Sequence, residues 1–193
     1  MHRVLRCLAA LAVCAGFAGR ASAAGNLIVN GGFETGDFTG WTLGGNTVGT
    51  VVGPPFPTTP GHAFSGDHAA VLGAVGTDGT LSQTFATVPG TVYELTLWGA
   101  NGGGPPNQVT ITLNGTTAFA ATDDPVHDYV LHVFDFTATS TTDTLAYDYV
   151  HCTAGGAFVI DDVNVSAVPE PSTLTLLALG VGALAARHWL KRW

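Results

Sequence analysis

Three observations predict that this chain contains an all-β domain, folded as an antiparallel β-sandwich. Short runs of residues alternate between apolar and polar side chains, which is the two-residue period of a half-buried strand. Glycine- and proline-rich segments separate these runs, as expected for turns and exposed loops. No segment between Asn26 and Val168 combines a helical apolar period with helix caps. About nine short strands of this kind suffice for two packed sheets.

The run from Thr91 to Leu97 shows the alternation most clearly. Tyr93 and Leu95 share one face of the predicted strand, and Glu94 lies on the other face. The same parity places Trp98 on the face of Glu94. We therefore expect Tyr93 and Leu95 to face the core and Trp98 to face outwards.

A hairpin is predicted between residues 109–113 and 116–121, because Asn114-Gly115 between them is the preferred pair for a type I′ turn. Further strands are predicted at residues 69–72, 81–85, 129–136, 144–150 and 158–165. Many short antiparallel strands with no helix between them favour a jelly roll among the sandwich folds.

The N-terminus has the three parts of a secretory signal peptide. Arg3 and Arg6 precede an apolar run at residues 7–17, and Ala21-Ser22-Ala23 offers the small side chains that cleavage requires. The apolar run is too short to cross a bilayer core, which takes about 20 residues. We therefore expect signal peptidase to remove residues 1–23 and the mature chain to start at Ala24.

The C-terminus also has three parts in a fixed order. Pro169-Glu170-Pro171 comes first, and its prolines favour an extended, accessible backbone. An apolar stretch at residues 174–186 follows, which as a helix of ~1.5 Å per residue is roughly 20 Å long and short of the bilayer core. A basic end at residues 187–193 closes the chain and suits the cytoplasmic side of a membrane. Such a marginal helix favours transient insertion over permanent residence.

These parts resemble the PEP-CTERM sorting signal, over residues 168–193. The resemblance implies that an exosortase, a membrane protease-transpeptidase, recognises Pro169, Glu170 and Pro171 and cuts near them. It implies a bacterial protein that is exported to the cell envelope, the outer surface or the extracellular biofilm matrix. A C-terminal transmembrane helix would anchor it transiently in the inner membrane. The sandwich domain is then residues 24–167.

The charge of the exported domain excludes several functions. No lysine or arginine lies between Ala21 and Ala186, whereas all but one of the 14 acidic residues lie between Glu34 and Asp162. Binding of nucleic acid is excluded, because Lys and Arg supply most of its affinity by neutralising phosphates. Acidic side chains without basic partners favour divalent cations or neutral ligands such as polysaccharides.

Several stretches resemble the carbohydrate-binding jelly rolls of the galactose-binding-like class. In chain order they are residues 27–34 (LIVNGGFE), 38–41 (FTGW), 65–70 (SGDHAA), 81–84 (LSQT), 89–93 (PGTVY) and 159–163 (VIDDV). The resemblance implies that the first and last strands are neighbours and hold a structural Ca²⁺ ion. Glu34 and Asp161 would be its carboxylate ligands, with backbone oxygens of residues 65–67, and Ca²⁺ takes such oxygen ligands. The alternative is that both acids are ordinary solvated residues at strand ends.

The same resemblance implies a sugar-binding face on which an aromatic ring stacks. Trp98 is the candidate ring, with Gln83 and Asn101 as neighbouring polar groups. The alternative for any single aromatic residue is packing in the core.

The sequence offers no convincing catalytic group. Asp123, Asp124 and Asp128 lie in a polar loop around a proline, where little burial is available to separate their pKa values. His127 and His132 are five residues apart and are expected on opposite strand faces, and Cys152 is expected to be a buried, unreactive thiol. We therefore predict a non-enzymatic domain that binds neutral exopolysaccharide; the alternative is a secreted glycan hydrolase with a shallow carboxylate site.

Overall fold

The structure is a computed structural model that describes residues 25–53, 62–152, 155–169 and 180. It contains ten β-strands in the compact unit from Ala24 to Val168. The strands are β1 (Thr42–Gly45), β2 (Val51–Gly53), β3 (Ala69–Leu72), β4 (Gly79–Ala86), β5 (Val92–Asn101), β6 (Asn107–Leu113), β7 (Thr116–Thr122), β8 (His127–Thr137), β9 (Thr142–His151) and β10 (Phe158–Ala167).

The strands form two five-stranded sheets. Sheet I has the order β1-β4-β9-β6-β7, and sheet II has the order β2-β3-β10-β5-β8. Every neighbouring pair within a sheet is antiparallel. The predicted all-β antiparallel sandwich is therefore confirmed.

The core lies between the two sheets, and the two-residue period of the sequence decides which side chains enter it. In β5, Tyr93, Leu95 and Leu97 are buried and belong to one large apolar cluster. In β9, which is the centre of sheet I, Tyr147 and Tyr149 enter the same cluster. The predicted parity of the Thr91–Leu97 run is thus confirmed.

The β6–β7 hairpin is the most local feature that the sequence predicts correctly. Asn114 and Gly115 have φ angles of 50° and 75°, the positive values that both central residues of a type I′ turn require. Asn114 also fixes the turn to β9, because its Oδ1 accepts a hydrogen bond from the backbone N–H of Thr144 at 2.8 Å.

The N-terminal segment of the domain runs beside the last strand, but it is not itself a strand, and the first strand, β1, lies in the other sheet from β10. The implied pairing of the first and last strands is therefore replaced by a few separate hydrogen bonds. The backbone N–H of Leu27 donates to the carbonyl of Val165 at 2.8 Å. The Asn26 side chain donates to the carbonyl of Val163 at 2.9 Å and accepts from the N–H of Val165 at 3.0 Å. Farther along, the N–H of Val163 donates to the carbonyl of Gly31 at 3.0 Å. These bonds bring residues 26–34 to β10.

The predicted signal peptide and the predicted C-terminal apolar stretch, apart from Gly180, lie outside the described residues. In the parts of the chain that the structure describes, no helix has the length and apolar character needed to cross a membrane.

Candidate functional site

The predicted metal ligands Glu34 and Asp161 are held by one loop. The backbone N–H groups of Asp67 and His68 donate to Glu34 Oε1 at 3.0 Å and 2.9 Å. Two residues earlier in the loop, the N–H of Ser65 donates to Asp161 Oδ2 at 3.1 Å. Residues 65–68 therefore bridge the carboxylate after the N-terminal segment and the carboxylate in the last strand.

Asp161 sits at an irregular point of β10. The pairing of β10 with β5 shifts register between Asp161 and Asn164, and Asp162 takes a φ of 48°. Asp161 is fully buried, and Asp162 lies partly exposed beside it, with the Ser65 hydroxyl donating to Asp162 Oδ1 at 2.8 Å. The bulge thus places two successive carboxylates near the start of the bridging loop.

The two predicted ligands differ in their electrostatics. Burial raises the pKa of Asp161 to about 6, against the favourable hydrogen bonds from Ser65 and Asp162. The pKa of Glu34 is lowered, chiefly because the backbone N–H groups of His68 and Asp67 bond its charged form. The raised pKa means that an ionised Asp161 lacks a positive charge that would compensate its burial.

The surroundings of Gly32 show how closely the acids gather. A Cβ atom at Gly32 would lie 3.3 Å from Asp162 Oδ1, 3.9 Å from Asp161 Oδ1 and 3.9 Å from Glu34 Cγ. Within the described parts of the chain, no three His, Cys, Asp or Glu side chains are arranged to hold a metal ion. A cation here would therefore need backbone carbonyl oxygens besides carboxylates, which is a donor set that Ca²⁺ accepts.

Trp98 faces outwards from sheet II, on the side predicted from the sequence, but its ring is covered. Phe64 stacks on Trp98 with ring centroids 3.8 Å apart and an angle of 14° between the rings. Tyr129 meets Phe64 edge to face at 5.6 Å, and its hydroxyl donates to the carbonyl of His62 at 3.1 Å. We call Phe64, Trp98 and Tyr129 the aromatic platform.

The platform rests on the sheet and offers Phe64 to solvent. Tyr129 packs on a small buried cluster formed by Ala69, Ala100 and Val159. Phe64 keeps 39% of its surface exposed, so it is the outermost ring, and Trp98 lies beneath it. The sequence did not reveal Phe64, because it lies in a loop where no strand period indicates its direction.

The structure does not bring Gln83 and Asn101 to this surface. Gln83, 5% exposed, points into the core side of β4, where its Oε1 accepts from the N–H of Val29 at 2.7 Å and its Nε2 donates to the Val29 carbonyl at 3.0 Å. Asn101, fully buried, donates to the carbonyl of Asp124 at 2.8 Å and accepts from the N–H of Gly103 at 2.9 Å. Both predictions as sugar contacts are corrected: these amides tie backbone segments together.

The outer face of sheet I has a different character. Its central strands β4, β9 and β6 turn mostly small or polar side chains outwards, namely Thr80, Ser82, Thr84, Ala86, Gln108, Thr110, Thr112, Thr142, Thr144, Ala146, Asp148 and Val150. None of these residues is aromatic. Within the described residues, the stacked aromatic rings that could meet a sugar therefore lie on the outer face of sheet II.

Two cavities lie between the sheets at the β7–β8 side. One of about 40 Å³ is lined by Asp124, His127 and His132, among others, and His127 Nε2 lies 2.9 Å from Asp124 Oδ2. The predicted separation of His127 and His132 onto opposite faces was wrong, because the β5–β8 pairing shifts register between Gly99 and Asn101 and breaks the parity. The other, of about 280 Å³, is lined by threonines, Phe136 and a single acid, Asp135.

The adjacent residues His151 and Cys152 differ in exposure. Cys152 is exposed, so its prediction as a buried thiol was wrong. His151 is fully buried beside Phe158, with ring centroids 4.5 Å apart, and burial lowers the pKa of its imidazole. A neutral, buried imidazole and an exposed thiol on adjacent residues form no nucleophile–base pair.

Comparison with known proteins supports the C-terminal sorting motif and the sandwich fold separately. Residues 167–192 match the family described as the PEP-CTERM protein-sorting motif, so the chain carries that motif. It includes Pro169, the last residue of the described domain segment, and Glu170 and Pro171, which lie outside the described residues. No curated protein matches the chain.

Solved structures match the sandwich. TmCBM61 in complex with beta-1,4-galactotriose has a TM-score of 0.59 at 21% identity, over 74% of this chain and 99% of that one. The enzymatically active domain of bacteriophage CBA120 tailspike protein 4 has a TM-score of 0.53 at 15% identity, over 74% of this chain and 21% of that one. The CBM22-1-CBM22-2 tandem domain of Paenibacillus barcinonensis Xyn10C has a TM-score of 0.50 at 18% identity, over 78% of this chain and 48% of that one. At these identities the likeness shows the fold, and the jelly-roll prediction is confirmed.

Proposed function

We propose that this chain is an exported cell-surface or matrix protein whose β-sandwich binds a neutral polysaccharide without cleaving it. The observation that carries the proposal is the stacked Phe64–Trp98 pair, an exposed aromatic surface on a domain that contains no lysine or arginine. Aromatic faces pack against the apolar faces of sugar rings, and the missing basic residues disfavour anionic ligands.

The sorting motif supports the exported location. We propose that signal peptidase removes residues 1–23 and that an exosortase-type enzyme recognises Pro169, Glu170 and Pro171 after the apolar helix has entered the inner membrane. The residues before Pro169 belong to β10 and to its pairing with β5, up to Ala167 opposite Tyr93. Cleavage at the motif would therefore leave the sandwich complete.

In a host with an exosortase, the surface form is expected to start at Ala24 and to end near Pro169 to Pro171. We expect this because the signal-peptide features and the PEP-CTERM motif flank the compact unit of residues 24–168 on its two sides. Intact-mass measurement of the surface protein checks this. A surface form that still contains Trp193 would contradict C-terminal removal.

Neutral glycans are expected to bind and anionic glycans are not. A domain with 13 of the chain's 14 acids and no Lys or Arg repels polyanions, most strongly at low ionic strength, where the Debye length reaches about 30 Å. Titration with neutral β-1,4-galactan and with anionic polygalacturonate, each at low and at high salt, measures the binding of both kinds of glycan. Salt-independent binding of the neutral polymer is the expected result, and tight binding of the polyanion at low salt would contradict the proposal.

The geometry favours binding over hydrolysis. A glycosidase typically flanks the scissile bond with two carboxyl groups roughly 5–10 Å apart. The larger cavity presents one acid, Asp135, and the smaller one, at about 40 Å³, has no room for a sugar ring beside Asp124 and His127. A third cavity, beside β6 and β9, has two acids in its lining, Asp78 and Asp148, but its volume of about 30 Å³ is also too small to enclose a sugar ring. These described cavities therefore favour no acid–base pair around a bound sugar.

We also propose that a structural Ca²⁺ ion binds between Glu34 and Asp161, with backbone oxygens of residues 65–67. The support is the buried Asp161 carboxylate without a positive partner, and the loop that holds both acids. The loop also carries Phe64 at its start, so an ion that orders residues 65–67 would help to position the aromatic platform.

A further inference from the structure

Strand β8 forms one edge of sheet II and leaves its outer backbone edge unpaired. In the described part of the chain it pairs only with β5. It is 11 residues long, whereas the other edge strands, β1, β2 and β7, have 4, 3 and 7 residues. Because unpaired N–H and C=O groups in a row form a template for another strand, β8 is the longest such template among the edge strands that the structure describes.

The devices that usually protect an edge strand are missing from most of β8. Proteins block such edges with charged side chains, especially lysine, and with proline or bulges. Residues 127–137 contain no proline and no lysine, and their two acids, Asp128 and Asp135, leave the stretch from Tyr129 to Phe134 without a carboxylate. The register shift against β5 lies at the start of β8, between Gly99 and Asn101, and the pairing is regular from Val130 to Thr137. Most of the strand is therefore straight enough to accept a partner.

The middle of β8 also exposes apolar side chains on the outer face of sheet II. Leu131 and Val133 are 46% and 48% exposed, and they lie opposite Trp98 and Thr96 in the pairing with β5. Water contacts these side chains now, and a neighbouring strand with the same residues would remove part of their surface from water. The apolar pair marks the centre of the strand.

We propose that β8 pairs antiparallel with β8 of a second copy of this chain, with His132 on the twofold axis. In this register Leu131 of each copy lies directly opposite Val133 of the other, on the outer face. Asp135 lies opposite Tyr129, and no two carboxylates oppose each other. The same patch serves both copies, as a twofold interface requires.

The charge pattern makes this register self-compatible. Like charges directly opposite each other destabilise a strand pair, whereas apolar pairs stabilise it. The two acids of β8, Asp128 and Asp135, lie on either side of His132 at different distances from it, so the twofold axis does not superpose them. The His132 ring stays within its own sandwich, against Phe119 at a centroid distance of 4.8 Å.

Such a dimer would place both aromatic platforms on the same side of one continuous sheet. The twofold axis of an in-plane antiparallel pair is perpendicular to the sheet, so the outer faces of both copies point the same way. Two sites on one rigid body bind a long polymer more strongly than either alone. This consequence depends on the proposed glycan binding, but the strand pairing does not.

Analytical ultracentrifugation of the full-length chain in a nonionic detergent tests the association. The unsubstituted chain is expected to form dimers as its concentration rises. Val133→Lys brings two like charges beside the twofold axis and is expected to weaken dimerisation at least tenfold. Val48→Lys is the control: it introduces the same charge at another exposed valine, in the turn between β1 and β2, and should leave dimerisation unchanged.

Cross-linking tests the register in the same preparation. The exposed native thiol is first removed with Cys152→Ser. One chain carrying Leu131→Cys and another carrying Val133→Cys are then mixed and oxidised. Opposite residues in an antiparallel pair have Cα atoms about 4.5–5.5 Å apart, within the range of a disulfide, so a disulfide-linked dimer is expected. A chain that stays monomeric at all concentrations, a Val133→Lys variant that dimerises as tightly as the unsubstituted chain, or an unlinked mixture would overturn the proposal.

Discussion

Adding Ca²⁺ is expected to raise the free energy of unfolding of the sandwich by about 2.7 kcal/mol when the ion is present at about 100 times its dissociation constant. The increment arises because only the folded chain holds Glu34 and Asp161 at one loop. For a domain of this size it corresponds to a rise in Tm of roughly 8 °C. Thermal unfolding in Ca²⁺ and in chelator measures it.

Glu34→Ala is expected to abolish the Ca²⁺ increment. Glu34 is exposed, so its replacement tests the ion without opening the core. Glu94→Ala is the matched control, because Glu94 is the other glutamate of the domain and lies on the outer face of β5. Equal melting temperatures of the unsubstituted chain in Ca²⁺ and in chelator would refute the ion, as would an increment that survives in the Glu34→Ala variant.

The Ca²⁺ increment is also expected to depend on pH, with a sign fixed by Asp161. The folded pKa of Asp161, about 6, lies above the ordinary value of 3.8. Without the ion, the buried charge of Asp161 therefore does not lower the free energy of unfolding below pH 3.8, whereas above pH 6 it lowers it by about 3 kcal/mol. Ca²⁺ binds the ionised form and competes with the proton. The increment should therefore shrink as the pH falls from 6 to 4, and melting curves at each pH, with and without Ca²⁺, compare the two states directly.

Phe64→Ala is expected to weaken the binding of neutral polysaccharide about tenfold or more. It removes the exposed ring of the platform, and about 1.4 kcal/mol of lost stacking corresponds to a factor of ten in Kd. The fold should persist because Phe64 lies in a loop outside the core cluster. Isothermal titration and the melting curve of the same sample measure both effects.

Two further variants, one in the platform and one distant control, test whether this loss is specific. Trp98→Ala removes the ring that supports Phe64 and should weaken binding at least as much. Val88→Ala changes an exposed residue in the turn before β5, roughly 20 Å along the strand from Trp98, and should have no effect. Unchanged binding by the Phe64→Ala variant would rule out the platform as the sugar site, even if Trp98→Ala were to unfold the domain.

The parts of the fold that depend on local periodicity were predictable from the sequence. The direction of Trp98 follows from its distance to Tyr93 along one regular strand, and the β6–β7 turn follows from Asn114 and Gly115. Strands β1 and β2 were missed, because they are short and end in glycine, at Gly44, Gly45 and Gly53, so that no alternation of side chains is visible.

The site was less predictable because contacts between distant segments decide it. Gln83 lies on the buried face of its strand, and only the N-terminal segment, through Val29, explains why a polar side chain is there. Phe64 reaches Trp98 from a loop 34 residues earlier in the sequence. The bulge beside Asn101 brings His127 and His132 to one cavity, which strand parity alone cannot reveal.

The most direct test of the central claim is a calorimetric titration of the mature sandwich with the neutral exopolysaccharide of its own producing organism, followed by analysis of the polymer for released sugars. The account predicts saturable binding that Phe64→Ala weakens about tenfold, and a polymer of unchanged length after prolonged incubation. Release of shorter sugars would contradict a non-enzymatic domain, and the absence of any binding would contradict the proposed function itself.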